Sequence, residues 1–134
     1  MTSDYKSEIY KPWVTLTLVT LERKLENETA FDGIVKIYSL RSNSQKVNNL
    51  LENKVFGDFI HPSNTGAFLR MFINKASWPK TKLIYIDFNT PSLKEIKETN
   101  SSWNIWMGVD LGYGKHSIEI SPTEKIEYQI SSGI

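Results

Sequence analysis

The last third of this chain switches to a hydrophobic period of two, and no other feature of the sequence limits the fold as strongly. Three alternating runs, 103–110, 115–121 and 125–130, are separated by Leu111-Gly112-Tyr113-Gly114 and by Ser121-Pro122-Thr123-Glu124. Such runs, joined by turns containing Gly or Pro, predict three strands paired in chain order as an antiparallel meander. Within the first run, Trp103, Ile105, Met107 and Val109 share one face, and Asn104, Trp106, Gly108 and Asp110 share the other. The first set reads as core. The second reads as a groove or interface edge, where Gly108 leaves room beside the Trp106 indole and Asp110 supplies a polar rim.

Upstream, the pattern mixes both periods. Trp13–Leu21 and Ile34–Leu40 alternate as strands, and the charged stretch Glu22–Thr29 reads as the connection between them. Leu83–Phe88, apolar on both faces except at Asp87, predicts a central strand. Three segments read as helical. Ser42–Asn53 carries Val47, Leu50 and Leu51 at helical spacing. Asn64–Lys75 presents Phe68, Leu69, Phe72 and Ile73 as one stripe. A short helix starts at Thr90 or Ser92 and ends near Asn100, anchored by Leu93 and Ile96. The expected class is therefore α+β: a mostly antiparallel twisted sheet of five to six strands, two to three helices on one face, and the C-terminal three-strand meander. A chain of 134 residues suits one domain, 1–134, that buries roughly 65% of its unfolded surface, with 1–10 and 131–134 as mobile ends.

Composition narrows the function classes. The chain has no cysteine, which removes disulfides, thiol nucleophiles and cysteine-ligated metals. The first residues have no basic and apolar leader, and no stretch approaches a membrane span, so a cytosolic protein without a membrane partner is expected. The net charge of +1 is unevenly spread: residues 36–82 hold eight basic and two acidic groups, and both flanks are acidic. If Arg70, Lys75, Lys80 and Lys82 gather on one side, that surface suits an acidic protein or a phosphate backbone. The overall charge does not favour nucleic acid.

Reactive constellations are weak. His61 precedes a proline and reads as a turn residue. His116 lies near Asp110 if the hairpin closes, which gives a small hydrolase as the alternative reading, with Asp87, Ser117 or Ser121 as further members. A metal held by Asp87, Asp110 and His116 has no spacing that forces convergence. Gly108–Lys115 lacks the spacing and the following helix of a phosphate loop. No cofactor and no metal are expected.

Binding carries the better case. Trp106 and Tyr113 read as anchors and Asp110 and Lys115 as groups that steer or register the partner, since Trp, Tyr and Arg dominate protein contacts. In size, mixed charge and lack of cofactor motifs the chain is similar in general character to bacterial immunity proteins that neutralise toxins. That resemblance implies a protein inhibitor that occludes a partner's surface, with a toxin or nuclease domain as the partner class. The remaining alternative is a nucleic-acid-binding protein using the basic 36–82 segment.

Overall fold

A computed structural model describes residues 9–28, 36–73, 80–100 and 105–130. Contacts gather the chain into two compact units, residues 1–103 and 104–134. The first holds one seven-stranded sheet in unbroken chain order: β1 (Lys11–Thr15), β2 (Thr20–Glu28), β3 (Lys36–Ser42), β4 (Phe56–Pro62), β5 (Gly66–Phe72), β6 (Thr81–Asp87) and β7 (Ser92–Thr99). Every neighbouring pair is antiparallel. One helix, α1 (Gln45–Leu51), is inserted between β3 and β4. Ser44 caps it by accepting from the Val47 amide, and the Asn48 side chain ties it to Ser42. Val47 and Leu51 of α1 pack with Leu21, Leu40, Phe56, Leu69 and Ile84 of the sheet.

The protein is thus mostly β, and the α+β expectation is corrected. The helix expected over Asn64–Lys75 is strand β5. Its run Ala67-Phe68-Leu69-Arg70-Met71-Phe72 is buried on both faces, and a strand covered on both sides looks like a helical stripe when read by periodicity alone. The helix expected from Thr90 or Ser92 to Asn100 is strand β7. There Lys97 pairs with Leu83 and Glu95 with Ile84, so Ile96 is an inserted residue. A bulge converts the period of two into the spacing of three between Leu93 and Ile96 that mimics a helix. Glu22–Thr29 is not a connection, since β2 occupies Thr20–Glu28, and Trp13–Leu21 is not one strand. The chain turns between Thr15 and Thr20, with the Leu16 amide donating to the Val19 carbonyl at 2.8 Å. The charges of β2 find partners across the sheet: Glu22 pairs with Arg41 at 2.7 Å, and Arg23 stacks on Trp13 and Tyr38. Residues 1–8 and 131–134 of the expected mobile ends lie outside the described residues.

β5 and β6, the fifth and sixth of the seven strands, carry the most regular pairing, so Leu83–Phe88, expected as a central strand, lies next to the edge strand β7. Seven consecutive residue pairs join β5 to β6, from Gly66 with Asp87 to Phe72 with Thr81, without a bulge. On one face lie Ala67, Leu69, Met71, Ile84 and Ile86, and on the other Phe68 meets Tyr85 with ring centroids 4.9 Å apart. By contrast β3 and β4 share a single registered pair, Tyr38 with Phe56.

The second unit holds β8 (Met107–Gly112), β9 (Lys115–Ser121) and β10 (Glu124–Gln129) in the order β10-β9-β8. Tyr113 and Gly114 close the first hairpin with φ of 56° and 80°, the positive values that a two-residue type I′ turn requires. The Gln129 side chain donates to the Tyr113 carbonyl at 2.8 Å and so holds this turn from β10. Among the described residues no helix is long and apolar enough to cross a membrane.

Gly66 opens β5 in a corner tied by Ser63 and Tyr85, and a Cβ there would lie 2.0 Å from the Ile86 carbonyl oxygen. Gly66→Ala is expected to destabilise the protein by about 3 kcal/mol, read as a lower urea midpoint at unchanged slope.

Candidate functional site

The geometry of the β8–β9 hairpin decides which side chains are available. A two-residue turn at Tyr113 and Gly114 pairs Gly112 with Lys115, and continuing without interruption would set Val109 opposite Ile118 and Met107 opposite Ile120. Instead Asp110 pairs with His116, Val109 with Ser117, Gly108 with Ile118 and Met107 with Glu119. Leu111 is the additional residue. Its insertion changes the phase of β8 against β9 by one position, and in a pleated sheet one position moves every side chain to the other face. Gly108 therefore lies beside Ile118 on the buried face, while Met107 and Val109 lie beside Glu119 and Ser117 on the open one.

The expected partition of β8 is accordingly inverted. Trp106 is 5% exposed and is corrected from an anchor on an open groove to a buried residue. Ile105, Met107 and Val109, read as core, are 85%, 60% and 53% exposed, and Leu111 is exposed beside them. Trp103 lies outside the described residues. Asp110 is exposed, but its carboxylate accepts the Gly112 amide at 2.8 Å and shapes the bulge. Lys115 pairs with Glu127 at 3.1 Å across to β10. Tyr113 is fully exposed at the tip, in a left-handed conformation that a residue with a Cβ adopts at a cost. The structure thus brings Asp110, Tyr113 and Lys115 to one end of the hairpin and adds an apolar row, Ile105, Met107, Val109 and Leu111, that the alternation alone assigned to the interior. The apolar pattern of β9 held the corrective signal, but only to a reader who knew the bulge.

β8 is also the last strand of its sheet, and among the described residues no strand lies beside its outer edge. Soluble proteins blunt such edges with Lys, Pro, charge or bulges. β1 carries Lys11, Pro12 and a bulge. β7 carries Lys94, Glu95, Lys97, Glu98 and a bulge, and β10 carries Glu124, Lys125 and Glu127. β8 carries one charge, Asp110, and the bulge at Leu111, while Ile105–Val109, which leads into and opens the strand, has no charge and no proline.

The other candidates are used elsewhere. Arg70, expected on a basic surface, is buried in β5, where its Nε donates to Thr81 Oγ1 at 3.2 Å and desolvation lowers its pKa to about 10. It stays charged at neutral pH but offers nothing to a partner. Lys82 pairs with Glu95 at 2.9 Å, Lys80 is exposed, and Lys75 lies outside the described residues. His116 sits across from Asp110 in register but is only 3% exposed, which closes it to a substrate. Asp87 accepts the Asn89 and Thr90 amides in its own turn, and His61 lies beside Phe68. Among the described residues no three His, Asp or Glu gather as a metal site. A groove of about 750 Å³ in the first unit, bordered by Tyr10, Leu51, Lys54 and Met71, has Lys82 and Glu95 on its rim, and their ion pair satisfies both charges.

Comparison with protein-family models, with curated proteins and with solved structures finds no match.

Two results are expected from the hairpin. Tyr113→Asn, which removes the ring and tolerates the left-handed backbone, raises stability by about 0.5–1 kcal/mol in urea titration. Deletion of Leu111 restores the uninterrupted register, turns Met107 and Val109 inward, and exposes Trp106, read as a red shift of tryptophan emission.

Proposed function

We propose that this chain works by binding another protein, and that Ile105–Tyr113 is the contact surface. The observation that carries this reading is the apolar row Ile105, Met107 and Val109, exposed where the chain enters β8 at a sheet edge and free of charge before Asp110. An uncovered apolar row on an edge that no described strand pairs is the combination used by strand addition, where main-chain hydrogen bonds give affinity and alternate side chains give specificity. Tyr113 supports the same reading. A ring held fully in solvent, on a turn position where Asn or Gly is less strained, is accounted for by contact with a partner rather than by folding. Asp110 and Lys115 border the row with opposite charges, and Lys115 is partly satisfied by Glu127. The protein acts, on this reading, by occupying a surface of its partner. Of the eight central basic residues, Arg41 and Lys82 are held in ion pairs and Arg70 is buried, which leaves these three less available to a phosphate backbone.

The test compares full-length wild-type protein with a Met107→Lys/Val109→Lys variant, both immobilised and exposed to native extract. Both positions are solvent-facing, so folding should change by only about 0.5 kcal/mol. Recovery of a specific retained protein is expected to fall at least roughly tenfold, because an uncompensated ammonium within a desolvated contact exceeds the 1.4 kcal/mol that corresponds to that factor. Equal recovery of every protein by both forms would reject the assignment of this surface.

A further inference from the structure

We infer that the contact of Arg23 with Asp58 is a salt-sensitive latch on the groove of the first unit: where it is broken, β1–β3 draw away from β4 and the groove widens. Four strands meet at that contact, each giving one side chain. Arg23 of β2 lies over the rings of Trp13 in β1, at 4.8 Å, and of Tyr38 in β3, at 4.2 Å. Its Nη1 donates to Asp58 Oδ1 in β4. The stack holds the first three strands to one another, and the carboxylate ties that stack to the next.

The chain is shaped for this reach. β4 pairs Phe56 with Met71 and Ile60 with Leu69, so Gly57, Asp58 and Phe59 stand where β5 has only Arg70. Added residues bend a strand out of its ladder. Asp58, exposed at this bulge, extends past β3 to β2, a strand that β4 does not pair with. On the other side of the contact, stacking on two rings orients the guanidinium, so less rotamer freedom is lost when it meets the carboxylate. Glu22 with Arg41 and Lys24 with Glu26, by contrast, stay within the first three strands.

The groove lies across the same junction. Ser39 and Leu40 line it from β3, and Val55, Met71 and Phe72 line it from the side of β4 and β5. Apolar packing of α1 with Leu40 and Phe56 supplies most of the hold between the two sides, and salt does not screen it. The ion pair is the part that salt weakens. Arg23 and Asp58 are 26% and 63% exposed, so ions reach both groups. The latch therefore makes the width of the groove depend on ionic strength.

Because the chain has no cysteine, a single introduced thiol reports on the groove. Val55 is 6% exposed and lines it, and Val55→Cys changes the side chain little in size. The full-length Val55→Cys protein, with and without Asp58→Asn, is labelled with N-ethylmaleimide, an uncharged reagent, in dilute buffer and in about 1 M sodium chloride, where charges are screened beyond about 3 Å. Asp58→Asn, an exposed substitution that keeps the shape of the side chain, is expected to speed labelling about threefold in dilute buffer, as for a well-oriented exposed pair. Salt is expected to speed labelling roughly twofold where Asp58 is present and to leave the Asp58→Asn form unchanged. In both forms the rate should rise with urea less steeply than global unfolding of the same protein, since opening the groove exposes only part of the buried surface. An unchanged rate in Asp58→Asn, an equal response to salt in the two forms, or a urea dependence as steep as that of unfolding overturns the latch.

Discussion

The seven uninterrupted pairs between β5 and β6 are the constraint around which the first unit is built. The other pairings of that sheet carry a bulge or, for β3 and β4, a single registered pair. Regularity in this pair has a physical cause: both strands are largely buried on both faces, so a slip of one residue would drive Arg70 into the place of Leu69 or Tyr85 into the place of Ile84. Burial of this kind contributes roughly 1.5–3 kcal/mol per large side chain, and Phe68, Leu69, Leu83, Ile84 and Ile86 all have almost no exposed surface. Where one face is wet, as along β7, register is held less tightly and bulges are tolerated.

The same burial on both faces explains why the sequence misled about class. Alternation identifies a strand only when its two faces differ in polarity, and β5 has no polar face to show; its one charged residue, Arg70, is interior. The pattern of β7 failed for the opposite reason, since a wet edge strand with one inserted residue has neither clean period. What could be read were the segments with contrast, Ile34–Leu40 against β3, the Val47–Leu51 turn of helix and the three C-terminal runs with their turns, together with Leu83–Phe88, a short continuous apolar run, against β6. Cross-strand charge pairs such as Glu22 with Arg41 were invisible because they join residues far apart in the chain.

At the candidate site the alternation was legible and its sign was not. The residues of β8 do separate into two sets, but which set faces inward depends on β9, and Leu111 sits between the turn and the strand as the deciding insertion. Asp110 stabilises that insertion by accepting the Gly112 amide, so a residue read as a partner-facing rim is better understood as the support of the bulge. Tyr113, which the sequence sets in the turn after β8, is exposed at the tip of the hairpin.

The lone registered pair between β3 and β4 has a consequence for how the first unit breathes. With one rung of backbone ladder at that seam, the first three strands are joined to the last four chiefly by side chains from α1, Leu21, Leu40 and Phe56. Side-chain contact without a ladder separates at lower free energy than a strand pair does, so opening along this seam precedes global unfolding. Slow amide exchange then belongs to β5 and β6, and the N-terminal strands form the earlier-melting lobe.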